Sequence, residues 1–483
     1  MRRAPKPLNH FAFAALGMLT LLGCSKADDY PGSPHANWSD YLGGADSSQF
    51  SDLTQIDSHN VSRLAIAWTY NFPGNGQSIG NPIVLGRRLY TVWSGGVVAL
   101  DAGSGRELWR HDRSPVLMRG LNVWTSPDGS TQRLFFHSND RMYALDAATG
   151  KLVESFGDKG SIDLREGLDR ALTPSLKVAA QAPGRIFGNL LILGTAGEAA
   201  PGYIRAIDVQ SGKLVWTFHS IPHQGEPNAA DWPKDAWKTQ GGVNNWSGMT
   251  LDTETGILFV TLVGAKPNYY GVDRPGNNLY SNSIVALDPR TGRRLWHFQT
   301  LHHDIWDYDL PQAPKLLKLT RGGRQVDAVL VASKTGNIFV FDRRTGKPIF
   351  PIEERPVPQS DVPGERTSPT QPFPMAVPPF ARQGLSVADL DPSLEPDERK
   401  RLTQLIKQSR NEGLFTPPSF RGSIQSPGSW GGTNMDNGVT DRTGHYYVVS
   451  ADIPGLAKLE PAGGTGYDLF LKAKPTDPGA ALY

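Results

Sequence analysis

A short pattern recurs five times along the 483-residue chain and constrains its fold more than any other feature. Each copy begins with Asp, passes through two variable residues to a Ser-Gly or Thr-Gly pair, and ends on Trp in three cases. The copies begin at Asp101, Asp146, Asp208, Asp288 and Asp342. Asp, Ser and Thr side chains bond to nearby backbone, and Gly adopts positive φ. The pattern therefore predicts a tight turn between two strands.

The spacing of these copies indicates the architecture. Their starts are 45, 62, 80 and 54 residues apart. A unit of about 45 residues with loop insertions is typical of four-stranded propeller blades, whereas a solenoid has more even spacing. The 52 Gly and 38 Pro indicate many turns, and helix-forming runs are scarce. We therefore predict an all-β chain folded as a β-propeller, with each terminal Trp anchoring the next unit.

The first 23 residues predict a secretory signal. Three basic residues precede an apolar run at 11–22 that is too short to span a bilayer. The run ends in Leu-Leu-Gly-Cys-Ser, which resembles a bacterial lipobox and predicts a lipid anchor on Cys24, followed by a tether at 24–37. The expected location is the periplasmic side of a bacterial membrane. The alternative is an ordinary signal peptide beside a chance cysteine.

Charge and cysteine content exclude several classes of protein. Removing the three basic residues of the signal leaves 46 Lys and Arg against 47 acidic residues, a balance of −1. Nothing in this balance argues for nucleic acid or for a basic membrane-binding face. Cys24 is the only cysteine, which excludes a disulfide framework and a cysteine metal site.

A long insertion interrupts the propeller domain, which we assign to residues 38–483. The insertion covers 348–418 and begins with a Pro-rich stretch at 348–383, expected to be an extended loop or one ordered by packing. A helix is then predicted from Pro396 to Gly413. Leu402, Leu405 and Ile406 share one face of this helix, and Gly413 is placed to end it.

Five motifs, taken in order, resemble those of the pyrroloquinoline-quinone (PQQ)-dependent dehydrogenases. They lie at Trp38–Trp68, Gly241–Trp246, His302–Pro311, Lys334–Gly346 and Ser429–Asn434, and so extend over most of the mature chain. The resemblance implies an eight-bladed propeller that oxidises alcohol or sugar hydroxyls by base-assisted hydride transfer to calcium-bound PQQ. It also implies cytochrome c or a membrane quinone as the electron acceptor.

The segment HHDIWDYD at 302–309 is the strongest catalytic candidate. In the family, the second Asp of His-Asp-x-Trp-Asp is the base, which here is Asp307. A basic residue about 27 positions later contacts the quinone, and Lys334 stands 27 residues after Asp307, which favours Asp307 over the other aspartates. The two histidines are expected to support this segment, since calcium prefers oxygen ligands. A purely structural hairpin is the alternative.

The resemblance assigns four further residues. Trp246 matches the indole on which the quinone lies, and Arg119 fits a position that pairs with cofactor carboxylates. Trp430 is expected to line the same pocket. Glu198 is the candidate calcium ligand together with Asp307. The alternatives are a core role for Trp246, a surface salt bridge for Arg119 and a solvated loop position for Glu198.

The sequence departs from the family in three ways. Ala265 stands where relatives offer an amide or hydroxyl oxygen to calcium, and the adjacent-cysteine disulfide of many alcohol-oxidising members is absent. Only about six of eight blades are evident, the sixth near 440–449. The segment Asp477–Tyr483 resembles the start of the cytochrome c domain that some relatives carry. We therefore expect a fragment of a quinohaemoprotein whose haem c lies in a missing C-terminal part.

Two other functions remain compatible with the repeats. Lipid-anchored periplasmic propellers also serve as protein-binding scaffolds without a quinone, and Cys24 and the repeats suit that class equally well. An inactive relative that has lost the quinone is favoured by Ala265 and the missing blades. The scaffold alternative does not explain the 27-residue spacing of Asp307 and Lys334.

Overall fold

The computed structural model describes residues 35–76, 78, 80–116, 119–435, 438–461 and 467–471. The predicted signal peptide, Cys24, most of the tether and the segment Asp477–Tyr483 lie outside the described residues. Within the described part, no helix combines the length and the apolar character needed to cross a membrane.

Four sheets each contain four antiparallel strands that follow one another along the chain. The first holds β1–β4 (Ile83–Leu85, Arg88–Trp93, Gly96–Asp101, Glu107–Asp112) and the second β5–β8 (Asn122–Thr125, Gln132–Ser138, Arg141–Asp146, Ser161–Asp163). The third holds β9–β12 (Arg185–Phe187, Leu190–Gly194, Ile204–Asp208, Leu214–Phe218) and the fourth β13–β16 (Met249–Asp252, Ile257–Leu262, Ser283–Leu287, Arg294–Gln299). This arrangement confirms the all-β prediction.

The later units are less complete. A fifth sheet has three strands, β17–β19 (Lys315–Arg321, Arg324–Ala332, Ile338–Asp342), with an isolated bridge from Phe341 to Pro348 beside it. Beyond it lie β20 and β21 (Ile352–Pro356, Thr370–Pro374), β22 (Ser423–Gln425), β23 and β24 (Gly438–Thr440, Tyr446–Val448), and β25 and β26 (Gly455–Pro461, Tyr467–Leu471). The predicted sixth unit corresponds to the β23–β24 hairpin, and β22 pairs with β25 in a separate three-stranded sheet.

Helical structure is sparse in the described residues. One α-helix, α1, covers Pro396–Gln408. Short 3-10 turns occupy Val61–Arg63, Pro73–Asn75, Ala229–Asp231, Ala236–Lys238 and Val387–Asp389.

The repeated turn has the predicted chemistry. Asp101 Oδ1 accepts hydrogen bonds from the backbone N–H of Ser104 at 2.9 Å and from its hydroxyl at 2.8 Å. Gly105 then adopts φ +70°, which a residue with a side chain reaches only at a cost. The copies at Asp146, Asp208 and Asp342 make the same pair of bonds to Thr149, Ser211 and Thr345.

The terminal tryptophan of a repeat docks on the turn of the next unit. Trp109 donates its indole N–H to Ala147 O at 3.1 Å and covers Gly150, where an added Cβ would meet the ring at 2.4 Å. Trp216 covers Gly292 and Trp296 covers Gly346 in the same way. The anchoring role predicted for Trp is therefore confirmed in these copies.

The insertion differs from its prediction in two respects. Its helix ends at Gln408, before the expected stop at Gly413, although Leu402 and Ile406 are buried as predicted. The Pro-rich stretch contains the paired strands β20 and β21, so it is more regular than an extended loop.

Candidate active site

A cavity of about 880 Å³ lies at one end of the sheets. In an antiparallel four-stranded sheet, the connections after the second and fourth strands open at the same end, and the repeat turns lie at the other. The cavity is lined from these connections. All six residues selected from the sequence line it: Arg119, Glu198, Trp246, Asp307, Lys334 and Trp430. The structure therefore brings these six residues together, while the role of each residue stays a prediction.

Two carboxylates share one ammonium group in this cavity. Lys334 Nζ lies 2.9 Å from Asp307 Oδ2 and 3.4 Å from Asp309 Oδ2. Asp309 is further held by the indole N–H of Trp246 and the backbone N–H of Gly264, each at 3.0 Å. Lys334 and Asp309 are buried, whereas the Asp307 side chain keeps 19% of its surface. Asp307 is therefore the carboxylate of this trio that an incoming molecule reaches more readily.

The surroundings of Asp307 raise its proton affinity. Burial, reinforced by the neighbouring Asp309 charge, raises the pKa of Asp307 to about 7 against the opposing pull of Lys334. Burial alone would lower the pKa of Lys334, but Asp309 and Asp307 outweigh it and raise that pKa, so Lys334 stays charged. Asp307 also has φ +61°, a left-handed conformation that Asp tolerates better than most residues. Such a combination of shifted pKa and unusual backbone is typical of functional sites.

Trp246 offers a flat indole beside these charges. Arg119 donates to Trp246 O at 2.6 Å, and its guanidinium carbon lies 5.1 Å from the ring centre. Lys334 Nζ lies 6.0 Å from the same ring. The cavity lining includes four basic side chains (Arg119, Lys177, Lys266, Lys334) and three acidic ones (Glu198, Asp307, Asp309). A planar ligand bearing several carboxylates, as expected for PQQ, fits both the ring and the positive balance.

Calcium does not fit the side chains as they stand. Its two predicted carboxylate ligands are each paired with an ammonium group: Glu198 with Lys266 at 3.2 Å, and Asp307 with Lys334 at 2.9 Å. The Glu198 side chain is 83% exposed, so its pair with Lys266 is weak. Calcium entry at Glu198 would therefore require Lys266 to move, and we derive no chemical step through this ion.

The histidines of the segment are engaged elsewhere. His303 is buried, with its ring nitrogens 2.8 Å from Gly276 O and 2.9 Å from Glu365 Oε1. His302 contacts Gln299 and Glu354. These contacts engage both rings within the protein, and the supporting role of the two histidines stays a prediction.

Asp304 also lies apart from Lys334. Its buried carboxylate accepts hydrogen bonds from the Trp306 backbone and the Asn282 amide. The insertion packs against the same segment through Phe415, whose ring contacts Trp306 edge-on.

Sequence reasoning missed two members of the site. Asp309 was set aside in favour of Asp307, and the alternation of side chains along an extended strand does not apply here, because Asp307 has φ +61°. Lys266 was read only through its neighbour Ala265. The Lys266 signal is weaker, because nothing in the sequence ties it to Glu198, which lies 68 residues earlier.

Comparison with known proteins places this cavity in a family. The family model for the β-propeller domain of glucose, ethanol and alcohol dehydrogenases that use PQQ matches residues 38–473. The chain is 32% identical to the quinoprotein glucose dehydrogenase of Escherichia coli, covering 91% of this chain and 60% of that protein. It is 30% identical to the quinate/shikimate dehydrogenase (quinone) of Acinetobacter baylyi, covering 87% of this chain and 56% of that protein.

Comparison with solved structures points to the same family. The quinohaemoprotein alcohol dehydrogenase of Comamonas testosteroni aligns with a TM-score of 0.67 at 26% identity, covering 92% of this chain and 64% of that one. The chain thus spans about three fifths of the length of the curated relatives it matches. On the match over residues 38–473, the chain belongs to the family of PQQ-dependent dehydrogenases and carries its β-propeller domain.

Proposed function

We propose that this chain is the propeller portion of a PQQ-dependent dehydrogenase that oxidises a hydroxyl group of an alcohol or sugar. The observation that carries this proposal is the contact of Lys334 with Asp307 at 2.9 Å in the lining of the cavity. A base of pKa about 7 next to a fixed positive charge suits removal of a hydroxyl proton at neutral pH.

Each residue has a defined part in this reaction. When bound, PQQ supplies the electron-poor acceptor for the hydride. Asp307 accepts the hydroxyl proton at its carboxylate. Lys334 holds that carboxylate and places a positive charge where negative charge develops. Trp246 supports the planar ring, while Arg119 and Trp430 contribute to the walls of the cavity.

The metal and the external partners follow from the resemblance. Calcium at Glu198 and Asp307 stays a prediction and requires the displacement of Lys266 from Glu198. The Acinetobacter baylyi relative is a quinate/shikimate dehydrogenase (quinone), and we extend that acceptor class to this chain, with cytochrome c as the alternative. A lipid on Cys24 would hold the protein at the periplasmic side of the membrane, close to such an acceptor.

The test combines binding with turnover. PQQ is titrated into the purified protein, with calcium or with a chelator, and binding is followed by quenching of tryptophan fluorescence. Dye-linked oxidation is then measured with a panel of alcohols and sugars. Asp307→Asn should bind PQQ but lose turnover at least about a hundredfold, in the range of general-base catalysis.

Asp397→Asn, at an exposed position on α1, is the matched control and should behave as the wild type. Persistent turnover in Asp307→Asn would show that another group is the base. Failure of the wild type to bind PQQ under either condition would favour the scaffold or the inactive relative.

A further inference from the structure

We propose that Asp169, His219 and His223 form a binding site for a divalent transition-metal ion, with Zn²⁺ as the simplest probe. One ligand atom from each residue lies within 4.8 Å of the other two. Imidazole nitrogen and carboxylate oxygen are ligands that Zn²⁺ accepts readily, whereas calcium prefers oxygen alone. The site is separate from the PQQ cavity and does not depend on the proposed function.

The ligands come from two connections at the cavity end of the molecule. Asp169 lies between β8 and β9, and both histidines lie between β12 and β13. Each connection joins the last strand of one sheet to the first strand of the next. An ion bound here would therefore cross-link two neighbouring blades.

This cross-link would border the cavity rim. Arg170, adjacent to Asp169, donates hydrogen bonds to Trp237 O and, at 2.7 Å, to Gln240 O. It also reaches Ala199 O at 3.4 Å, and Ala199 lines the cavity. An ion at the proposed site would hold this rim together, which is a structural role.

One carboxylate contacts the ring of His219 and the backbone of His223. Glu226 Oε1 lies 2.8 Å from His219 Nδ1, and Glu226 Oε2 accepts the backbone N–H of His223 at 2.8 Å. A carboxylate that accepts one imidazole N–H leaves the other ring nitrogen available to a metal. This arrangement therefore leaves His219 Nε2 as the ring nitrogen available to an ion.

His223 is held more firmly than His219. Its ring stacks between His219 and Trp237, with centroid distances of 3.8 and 4.3 Å. Its Nε2 lies 3.1 Å from Asp169 Oδ2 and 3.0 Å from the Tyr203 hydroxyl. The atom that would bind the ion therefore already faces an anionic oxygen.

One movement completes the site. The two imidazole rings are parallel within 7°, so their in-plane lone pairs do not converge on one point. A tilt of the His219 ring would bring the lone pairs together. We assign this movement to His219, because His223 also stacks on Trp237 and contacts Asp169 and the Tyr203 hydroxyl. His219 is paired with Glu226. The side chain of Glu226 is 40% exposed, so it can move together with the His219 ring.

Zn²⁺ titration of the chelator-stripped full chain, purified without a polyhistidine tag, tests the site by calorimetry. One Zn²⁺ should bind per chain, and His223→Ala should weaken this binding at least about tenfold. Glu226→Gln should weaken it about tenfold, as loss of an outer-sphere partner usually does. His59→Ala, at an exposed histidine elsewhere, is the control and should leave the affinity unchanged.

Two results would overturn the proposal: no Zn²⁺ binding by the wild type, or equal affinity in His223→Ala. Should His223→Ala fail to fold by circular dichroism, His219→Gln answers the same question, because it removes the more loosely held ligand. Retention of wild-type affinity in that variant would also reject the site.

Discussion

Burial raises the pKa of Asp307, the proposed base, and the charge of Asp309, which shares the ammonium group of Lys334, raises it further. In Asp309→Asn, the repulsion from the second charge disappears and Lys334 faces one carboxylate, so both effects lower the pKa of Asp307. Because the base must be deprotonated, wild-type kcat/KM should rise with pH through about 7. In the variant, this rise should move about one unit lower.

The measurement is the pH profile of kcat/KM for an alcohol or sugar that the protein oxidises. Asp397→Asn should keep the wild-type profile. A profile in Asp309→Asn that stayed in place or moved upward would mean that the Asp309 charge does not control the base.

At the same scale, the limits of sequence reasoning are visible in particular residues. The 27-residue spacing selected Asp307 and Lys334 as site residues, and the structure places them in contact. Spacing alone does not reveal that Asp309 shares the lysine, because that contact depends on the left-handed backbone of Asp307. The pairing of Lys266 with Glu198 joins two connections of different sheets, so it depends on how the blades are arranged.

At the scale of the element, Gly150 and Gly129 separate two costs of a side chain in a turn. Both have left-handed φ, +71° and +72°, but a Cβ at Gly129 meets nothing within 4 Å. A Cβ at Gly150 would lie 2.4 Å from the Trp109 ring. Gly129→Ala should lower the free energy of unfolding by about 1 kcal/mol. Gly150→Ala should lower it by about 3 kcal/mol, because the docked indole must also shift.

Urea unfolding followed by tryptophan fluorescence compares the two variants. Equal losses of unfolding free energy in the two variants would mean that backbone strain accounts for both and that the docking of Trp109 contributes little. The repeat turns were predictable from the sequence because the Asp, Ser or Thr, and Gly that form each turn lie within a few residues of one another.

The end of α1 was not predictable in this way. The chain leaves the helix at Ser409, and Arg410 N then bonds to Gly422 O at 2.9 Å, while Ile424 N bonds to Arg410 O at 2.8 Å. These partners lie far along the sequence, so tertiary pairing ends the helix before Gly413 can.

At the scale of the whole molecule, the cavity depends on how several sheets are held together. Arg119 follows the first sheet, Glu198 lies within the third and Trp246 precedes the fourth. Asp307 follows the fourth sheet and Lys334 lies within the fifth. The repeat predicted these sheets, and their antiparallel order places the connections at one end. The sequence does not reveal the distances between residues across that end, because the connections differ in length and pack against the insertion.

A ligand that contacts connections from several sheets should stabilise the molecule as a unit. At a PQQ concentration one hundred times the Kd, binding adds about 2.7 kcal/mol to the free energy of unfolding. With an unfolding entropy of about 2.1 cal/mol/K per residue, a chain of this size should melt about 3 °C higher. Differential scanning calorimetry with and without PQQ measures this shift. Trp246→Ala, compared with its own ligand-free Tm, should lose most of it, because the flat support for the ring is gone. A saturating PQQ concentration that left the wild-type Tm unchanged would show that the cavity does not bind the quinone.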